Sequence, residues 1–286
     1  MSKTLNEIRE EIDSIDNQLH DLLMRRASLV SSVAQAKKKE GLQIVQPARE
    51  ARMIRRLLSR HEGLLPKSTI VRIWRELVGS VAFLQSGFTV SVCAEDNKCL
   101  YWDMAKDYFG SSVPMKKIIG AQSAIAQVMD GKTDFAVVPW PDLNHESAPW
   151  WSHLLNTSSD ETLSVICALP HGHSKKGEQD SFDRALIISR TEFMDSGDDI
   201  SFIALEVNKE VSRARIIEHA DDIGLDSINL YSAASPHSAS YKIYLLEVQG
   251  FIASDSNIPA RLKDAFGDFC SYCSVVGGYP IIPDVR

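Results

Sequence analysis

An arginine interrupts the apolar face of the first predicted helix. Apolar side chains in residues 8–33 recur every three or four positions, as they do along one face of a helix: Ile8, Ile12, Ile15, Leu19, Leu22, Leu29 and Val33. Arg26 occupies the position at which this series requires another apolar residue. Because a buried charge without a partner is too costly to keep, Arg26 must meet an anion there.

A second cation, Lys37, follows Arg26 by 11 residues. On a helix this separation is about 20° of rotation, so both side chains lie on one face and converge on the same part of the helix-bundle interior. The anion could be a ligand, or it could be a carboxylate of the chain itself, such as Glu50, in an internal ion pair. These residues alone leave the two interpretations open.

A third cation, Arg9, precedes Arg26 by 17 residues, which is about 25 Å along a helix. The two arginines of one chain therefore cannot hold the same small ligand. An antiparallel copy of the helix from a second chain would bring its Arg9 alongside Arg26, which predicts an interlocked homodimer with shared sites. Taken alone, Arg9 is more simply interpreted as a solvated surface residue.

Three helices are predicted in the first 86 residues. The first covers residues 4–39, with Thr4 and Glu7 at the spacing of a capping box, and the others cover 47–61 and 66–85. The first helix would be about 54 Å long, so it requires a helical partner along its length. The apolar face of the third helix is predicted to consist of Ile70, Ile73, Trp74, Leu77, Val78, Val81 and Leu84.

Strands and helices alternate after residue 87, which predicts an α/β unit as far as about residue 190. Residues 200–279 follow the order β-α-β-β-α-β, which is a ferredoxin-like pattern. The fold class is therefore multidomain, with an all-α unit, an α/β unit and a ferredoxin-like α+β unit. The strands of the α/β unit are predicted at residues 88–94, 115–119, 134–140, 163–170 and 184–190.

Charge and composition exclude several classes of function. The formal net charge of -7 argues against a nucleic-acid-binding protein, and the basic segment at residues 25–75 indicates an anionic small molecule as partner. The N-terminal residues do not resemble a signal peptide, and no apolar run approaches the roughly 18 residues of a membrane span. A cytoplasmic protein without membrane or nucleic-acid partners is expected.

Neither the cysteines nor the histidines predict a metal or cofactor. The five cysteines are scattered, and Cys270 and Cys273 are interpreted as buried free thiols. His171 and His173 lie in a polar loop without a further ligand at metal-binding spacing, so solvent exposure is the simpler interpretation.

The set Arg9, Arg26, Lys37, Arg49-Glu50 and Gln85, on helices of these lengths, resembles the all-α class of chorismate mutase. The resemblance covers residues 4–86 and implies an isomerase of the shikimate pathway that converts chorismate to prephenate for phenylalanine and tyrosine biosynthesis. This concerted Claisen rearrangement needs no nucleophile, metal or other cofactor.

The resemblance also implies a role for each residue. Arg26 and Arg9 of the partner subunit would clamp the two carboxylates of chorismate, a task suited to guanidinium groups. Lys37 and Gln85 would donate hydrogen bonds to the ether oxygen, and Glu50 would accept one from the ring hydroxyl.

Three further positions would contact the substrate. Arg49 would support it beside the catalytic glutamate. Gln46 stands where the family often has an aspartate near the hydroxyl, and Val81 where a small hydroxyl residue is frequent. Both departures from the family's residues are expected to affect the affinity for the substrate rather than the ability to catalyse the reaction.

The order of the modules resembles bifunctional chorismate mutase–prephenate dehydratases, which end in an ACT domain. Similar segments occur at residues 105–110, 130–139, 183–189 and 262–280. The resemblance implies a mutase domain at 1–86, a reduced dehydratase-like α/β domain at 87–195 and an ACT-like domain at 196–286.

The dehydratase motifs are altered. The family's Gly-rich segment corresponds to residues 94–102, its acidic-amide pair to residues 140–142, and its Thr-Arg-Phe motif to Asp183-Arg184-Ala185. Too few residues separate 163–170 from 184–190 to build a second lobe. A non-catalytic α/β domain is therefore expected, with Asp183 as the weaker alternative of a catalytic acid.

Whether the ACT-like domain binds an amino-acid effector is left open by the sequence. The phenylalanine-binding segments of the family align with VSRARI and YSAASPH, and the first lacks the family's glycine. Three hypotheses result: a chorismate mutase with a structural or regulatory C-terminal part, a bifunctional mutase–dehydratase, and a catalytically silent ligand-sensing regulator.

Overall fold

The computed structural model describes residues 3–30, 43, 45–94, 100–142, 149–155, 162–170, 184–283 and 285. The chain divides into two compact units. The first contains Met1–Val45 and Val81–Gly87, and the second contains Gln46–Ser80 and Phe88–Arg286. Lys37 and the rest of residues 31–39, the last quarter of the predicted first helix, lie outside the described residues.

The first unit is built on α1, Leu5–Ser28. It begins with the predicted capping box, in which the Thr4 backbone N–H donates to Glu7 Oε2 at 2.6 Å and the Glu7 N–H donates to Thr4 Oγ1 at 3.3 Å. These two bonds satisfy backbone donors that the first turn of a helix otherwise leaves unpaired. None of the side chains of α1 is buried.

Two more helices follow, α2 at Pro47–Ser59 and α3 at Lys67–Ser86. Pro47 is pre-organised for the first turn of α2, as predicted. Arg55 connects α2 to the segments beside two later strands. Its guanidinium donates to the carbonyl oxygens of Ser196 and Asp198, which precede the strand Asp199–Asn208, and of Ile281, which follows the strand Cys270–Pro280, at 2.7–2.8 Å. Ala51, Ile54 and Leu58 of α2 share a core cluster with Val71 and Ile282.

The buried face of α3 differs from the predicted one. Ile73 is 44% exposed and Leu84 76% exposed, whereas the row Val71, Arg75 and Gly79 is buried. The physical reason is a close helix contact: a Cβ at Gly79 would lie 1.7 Å from the carbonyl oxygen of Phe109, the last residue of the next helix, Leu100–Phe109. Only glycine allows this approach.

The strands of the described part of the chain, β1 to β9 in chain order, are Val90–Ala94, Met115–Ile119, Phe135–Pro139, Ser164–Leu169, Ala185–Ser189, Asp199–Asn208, Ser227–Ala234, Tyr241–Gln249 and Cys270–Pro280. They form one mixed sheet in the order β2-β1-β3-β5-β4-β9-β6-β8-β7. The β2-β1-β3 pairs are parallel, and β5 pairs antiparallel with both β3 and β4. The helices after α3 are α4 Leu100–Phe109, α5 Ala121–Met129, α6 Arg213–Asp222 and α7 Ile258–Phe266.

The C-terminal strands have the predicted ferredoxin-like arrangement. Elements β6-α6-β7-β8-α7-β9 follow the β-α-β-β-α-β order, and the strands lie in the order β9-β6-β8-β7 with antiparallel neighbours. Helices α6 and α7 cover one face of these strands, where Ile203, Leu205, Ile216, Leu246 and Leu262 belong to a common buried cluster.

The two parts of the sheet meet at β4 and β9. These strands are parallel and pair at Val165 and Gly277. Gly277 has a φ of 100°, and a Cβ at this position would lie 2.1 Å from the Val165 carbonyl oxygen. A glycine is therefore required where the α/β strands join the ferredoxin-like strands. Within the described ranges, no helix is long and apolar enough to cross a membrane.

Candidate functional site

The two arginines of α1 lie on one continuous helix. Arg9 is exposed, and Arg26 is half-buried near the C-terminal end. Their separation of 17 residues is about 25 Å along the axis. A single α1 therefore does not bring both side chains to one small ligand.

The apolar face of α1 is uncovered in the described part of the single chain. Its seam residues are between 42% and 61% exposed: Ile8, Ile12, Ile15, Leu19 and Leu22. A contiguous apolar stripe of this length marks an interaction surface, because burying such side chains is worth roughly 1.5–3 kcal/mol each.

The last turns of α3 belong to the same unit as α1 and carry two predicted substrate-binding residues. Val81 and Gln85 are both half-buried. The Gln85 Oε1 atom is buried and has no hydrogen-bond partner among the described residues. A buried amide oxygen left unpaired in this way is uncommon in a folded protein.

The predicted catalytic glutamate lies in the second unit, on the first turn of α2. The Glu50 carboxylate is 9% exposed. Its Oε2 accepts from Arg75 Nη2 at 2.8 Å and from the Tyr108 hydroxyl at 3.4 Å, and its Oε1 accepts from the Gln46 backbone N–H at 3.3 Å. Gln46 is half-buried and Arg49 is exposed.

Arg75 and Tyr108 form a buried cluster around this carboxylate. Arg75 is 1% exposed, and its guanidinium carbon lies 4.6 Å from the centre of the Tyr108 ring. Burial acts to lower the pKa of Arg75, but the charge of Glu50 and the neighbouring Tyr108 outweigh it, so this pKa is raised. The guanidinium is therefore the charged partner of Glu50.

Burial also keeps the two neighbouring side chains, Tyr108 and Cys167, protonated. It raises the pKa of Tyr108 well above its usual value, with further contributions from Cys167 and Glu50. Burial raises the pKa of Cys167 to about 12, so this thiol is neutral at physiological pH. Tyr108 thus remains a hydroxyl donor beside Glu50.

Arg75 is an ion-pair partner of Glu50 that the sequence interpretation did not name. The internal ion pair of Glu50 with Arg26 or Lys37 stays an open interpretation, since Lys37 lies outside the described residues. The signal that could have identified Arg75 is its spacing, because Val71, Arg75 and Gly79 are four residues apart and share one face of α3. The apolar residues on the neighbouring face of α3 predicted a different buried face, so these three residues were not recognised as buried.

Several candidate residues lie outside the described residues and stay predictions. They are Lys37, the histidines His171 and His173, and Asp183. In the described ranges, no group of three His, Cys, Asp or Glu residues could hold a metal ion. Cys270 is buried and Cys273 half-buried, and both are free thiols.

Two residues at positions that correspond to dehydratase motifs, Trp140 and Arg184, contact each other. Arg184 lies over the Trp140 ring, 3.3 Å from its centre, and its Nη2 donates to the Tyr279 hydroxyl at 3.4 Å. Trp140 Nε1 donates to the Tyr231 hydroxyl at 2.9 Å. These side chains therefore connect β3 and β5 of the α/β strands with β7 and β9 of the ferredoxin-like strands.

The centre of this network is Glu247 on β8, which is 1% exposed. Its carboxylate accepts from Asn229 Nδ2 at 2.7 Å, from the Tyr231 hydroxyl at 3.1 Å and from the Tyr279 hydroxyl at 2.6 Å. Burial, followed by the charge of Glu247, raises the pKa of both tyrosines, so they remain donors at neutral pH. A buried carboxylate held by three donors is a structural element.

Replacing Glu247 with Ala should destabilise the second unit by about 3 kcal/mol or more, because two buried hydroxyl donors and the half-buried Asn229 amide lose their acceptor. For a region of this size, the midpoint of thermal unfolding should fall by about 6–12 °C. The matched control is Glu218→Ala on the exposed side of α6, which should change stability by less than about 0.5 kcal/mol. Equal midpoints for the two variants would show that the network is not structural.

Comparison with known proteins assigns the helical segment. Residues 8–85 match the family chorismate mutase type II, so the N-terminal helices of this chain are a chorismate mutase type II domain.

The similarity to curated proteins continues beyond these helices. The chain is 26% identical over 190 residues, 63% of this chain and 50% of the relative, to the bifunctional chorismate mutase/prephenate dehydratase of Stutzerimonas stutzeri. It is 37% identical over 79 residues, 27% of this chain and 21% of the relative, to the T-protein of Enterobacter agglomerans. The chain thus spans half or less of the length of these relatives.

Among solved structures, the prephenate dehydratase of Streptococcus mutans has a TM-score of 0.47 and 9% identity to this chain. The similarity covers 68% of this chain and 99% of that one.

Proposed function

We propose that this protein is a chorismate mutase that rearranges chorismate to prephenate in aromatic amino acid biosynthesis. The match of residues 8–85 to the chorismate mutase type II family carries the proposal. The polar residues expected from the resemblance are all present in this segment of the sequence: Arg9, Arg26, Lys37, Arg49, Glu50 and Gln85.

The chemistry needs positioning and charge rather than a nucleophile. Chorismate must be held in its folded conformer while negative charge develops on the ether oxygen. Arg26 and Arg9 of the partner subunit clamp the two carboxylates, Lys37 and Gln85 donate to the ether oxygen, and Glu50 accepts from the ring hydroxyl.

A homodimer is part of the proposal. The exposed apolar stripe of α1 supports a second copy of the same helix as its partner, because an antiparallel pair buries the stripe on both chains. The same pairing brings Arg9 of the partner subunit to Arg26, which the spacing on one helix forbids.

A stable bicyclic dicarboxylate that mimics the folded transition state tests the proposal. Purified protein should consume chorismate with saturable kinetics, and this compound should inhibit competitively with an inhibition constant at least about 100-fold below KM. A related monocarboxylate is the control and should bind much more weakly, because one guanidinium clamp then has no partner. Failure of the protein to consume chorismate would exclude the proposed function.

The α/β domain, residues 87–195, is proposed to be non-catalytic. The contact of Trp140 with Arg184 supports this assignment, since both residues occupy dehydratase motif positions and are engaged in the network of Glu247. The bifunctional alternative is favoured by the name of the relative from Stutzerimonas stutzeri, with which the similarity extends past the mutase segment. Formation of phenylpyruvate from prephenate would establish the alternative.

The C-terminal domain, residues 196–286, is proposed to be ACT-like and to be a candidate for binding an amino-acid effector. A cavity of about 200 Å³ on these strands supports binding of a small molecule. Its lining includes Pro236 and His237 of the YSAASPH segment, together with Glu206 and Tyr272.

Millimolar L-phenylalanine should raise the midpoint of thermal unfolding by a few degrees if the domain senses the end product, because a ligand that binds only the folded state stabilises it. D-phenylalanine is the matched control. An unchanged midpoint with both enantiomers would leave the domain a structural role only.

A further inference from the structure

The environment of Glu50 limits what this carboxylate can still bind. A carboxylate has about four acceptor positions. In the described part of the chain, three are used by Arg75, Tyr108 and the Gln46 backbone N–H. One acceptor position remains, which matches the single hydroxyl that the proposed mutase reaction assigns to Glu50.

The ion pair between Arg75 and Glu50 is poorly suited to stabilising the fold. Both side chains are buried, and the Nε and Nη1 atoms of Arg75 have no hydrogen-bond partner among the described residues. Replacing a buried ion pair with apolar residues of similar volume is often neutral or stabilising. The contribution of Arg75 is therefore better explained by the orientation that it imposes on the Glu50 carboxylate.

Two residues of this environment come from beyond the mutase helices. Tyr108 lies on α4, and Cys167, with which it forms a side-chain hydrogen bond, lies on β4. The Tyr108 ring lies against the Arg75 guanidinium and its hydroxyl lies 3.4 Å from Glu50. The α/β strands and helices thus supply a wall of the site around Glu50.

We propose that Arg75 and Tyr108 are positioning residues of the mutase reaction, so that the α/β domain completes a site on the mutase helices. This inference rests on the proposed chorismate mutase function. Arg75 fixes one oxygen of Glu50, and Tyr108 contacts both the guanidinium and the carboxylate. The remaining acceptor position is left for the substrate hydroxyl.

The inference predicts a particular kinetic effect. No bond to the ring hydroxyl of chorismate is broken or formed in the rearrangement. The hydrogen bond from this hydroxyl to Glu50 therefore has similar strength in the ground state and in the transition state. Loss of such uniform binding raises KM and leaves kcat nearly unchanged. A misplaced Glu50 should therefore weaken substrate binding rather than slow the chemical step.

The test is Tyr108→Phe, which keeps the ring beside Arg75 and removes only the hydroxyl. KM for chorismate should rise about three- to tenfold with kcat within about twofold of wild type. The matched control is Arg72→Gln, which removes another contact between α3 and α4: the exposed pair of Arg72 with Asp107 at 3.3 Å. This control should keep the wild-type KM.

A double-mutant cycle with Glu50→Gln separates positioning from a general structural effect. If Tyr108 acts through Glu50, adding Tyr108→Phe to Glu50→Gln should raise KM by less than about twofold. If Tyr108→Phe fails to fold, Arg75→Lys provides the same readout, since it keeps the charge and loses the planar contact with the ring.

The outcomes distinguish the inference from the proposed function. Active wild-type protein with an unchanged KM in Tyr108→Phe, or additive effects in the cycle, would overturn the inference and leave the mutase function intact. Wild-type protein that does not convert chorismate would overturn both.

Discussion

Replacing Arg26 with Ala should lower kcat/KM for chorismate by about 10³-fold, which corresponds to about 4 kcal/mol. Arg26 is the guanidinium assigned to a substrate carboxylate in a half-buried position. Its removal leaves that carboxylate desolvated without a counter-charge, and truncating one partner of a buried, hydrogen-bonded charge pair costs about 2–5 kcal/mol. Steady-state kinetics with chorismate measure the effect.

The neighbouring Arg25 provides the matched control. It is exposed and lies off the apolar face of α1 that contains Arg26. Arg25→Ala should keep kcat/KM within about twofold of wild type, because an exposed arginine contributes little to a site elsewhere on the helix. Equal activities of folded Arg26→Ala and wild-type protein would contradict the assignment of Arg26 to the substrate.

Combining two inactive chains should restore activity if the sites are shared between subunits. Arg9→Ala and Arg26→Ala proteins should each be nearly inactive. In a dimer with one chain of each kind, one site contains both intact arginines and the other contains neither. Dimers purified through a different tag on each chain should therefore have about half of the wild-type activity.

The control for this experiment is a dimer with one Arg26→Ala chain and one Arg25→Ala, Arg26→Ala chain, in which neither site has an intact Arg26. It should remain nearly inactive. If the mixed dimer of Arg9→Ala and Arg26→Ala is as inactive as the separate proteins, Arg9 does not act in the partner's site.

Local features of the fold were predictable from the sequence. The capping box of Thr4 and Glu7 and the proline that begins α2 are local effects, and both lie where the sequence places them. Strands β1, β3, β4 and β5 are short runs of mostly buried residues, so local patterns locate them. The β-α-β-β-α-β order after residue 200 was predictable from the same local patterns.

Contacts between distant parts of the chain were not predictable. Arg75 meets Tyr108 between two helices that pack closely at Gly79. The spacing of Val71, Arg75 and Gly79 places them on one face of α3, but no local pattern shows what that face contacts. Similarly, the spacing of Glu247 on its strand gives no indication of three donors from other strands. Buried polar networks depend on side chains that tertiary structure brings together.

In the candidate site too, local spacing was readable from the sequence, whereas contacts between distant residues were not. Arg26 is a predicted site residue because it breaks an apolar series, and Arg9 because of its fixed separation from Arg26 on one helix; both roles stay predictions. The environment of Glu50 was not identified, since the sequence suggested a partner on α1 or a substrate and the structure has Arg75. The dependence of Glu50 on Tyr108 follows only from the packing of α4.

Product analysis with chorismate as the sole substrate tests the central claim most directly. Wild-type protein at neutral pH should convert chorismate to an equal amount of prephenate, and any phenylpyruvate should not exceed that formed from prephenate incubated without protein. Chorismate that remains unconverted in the presence of folded protein would contradict the account.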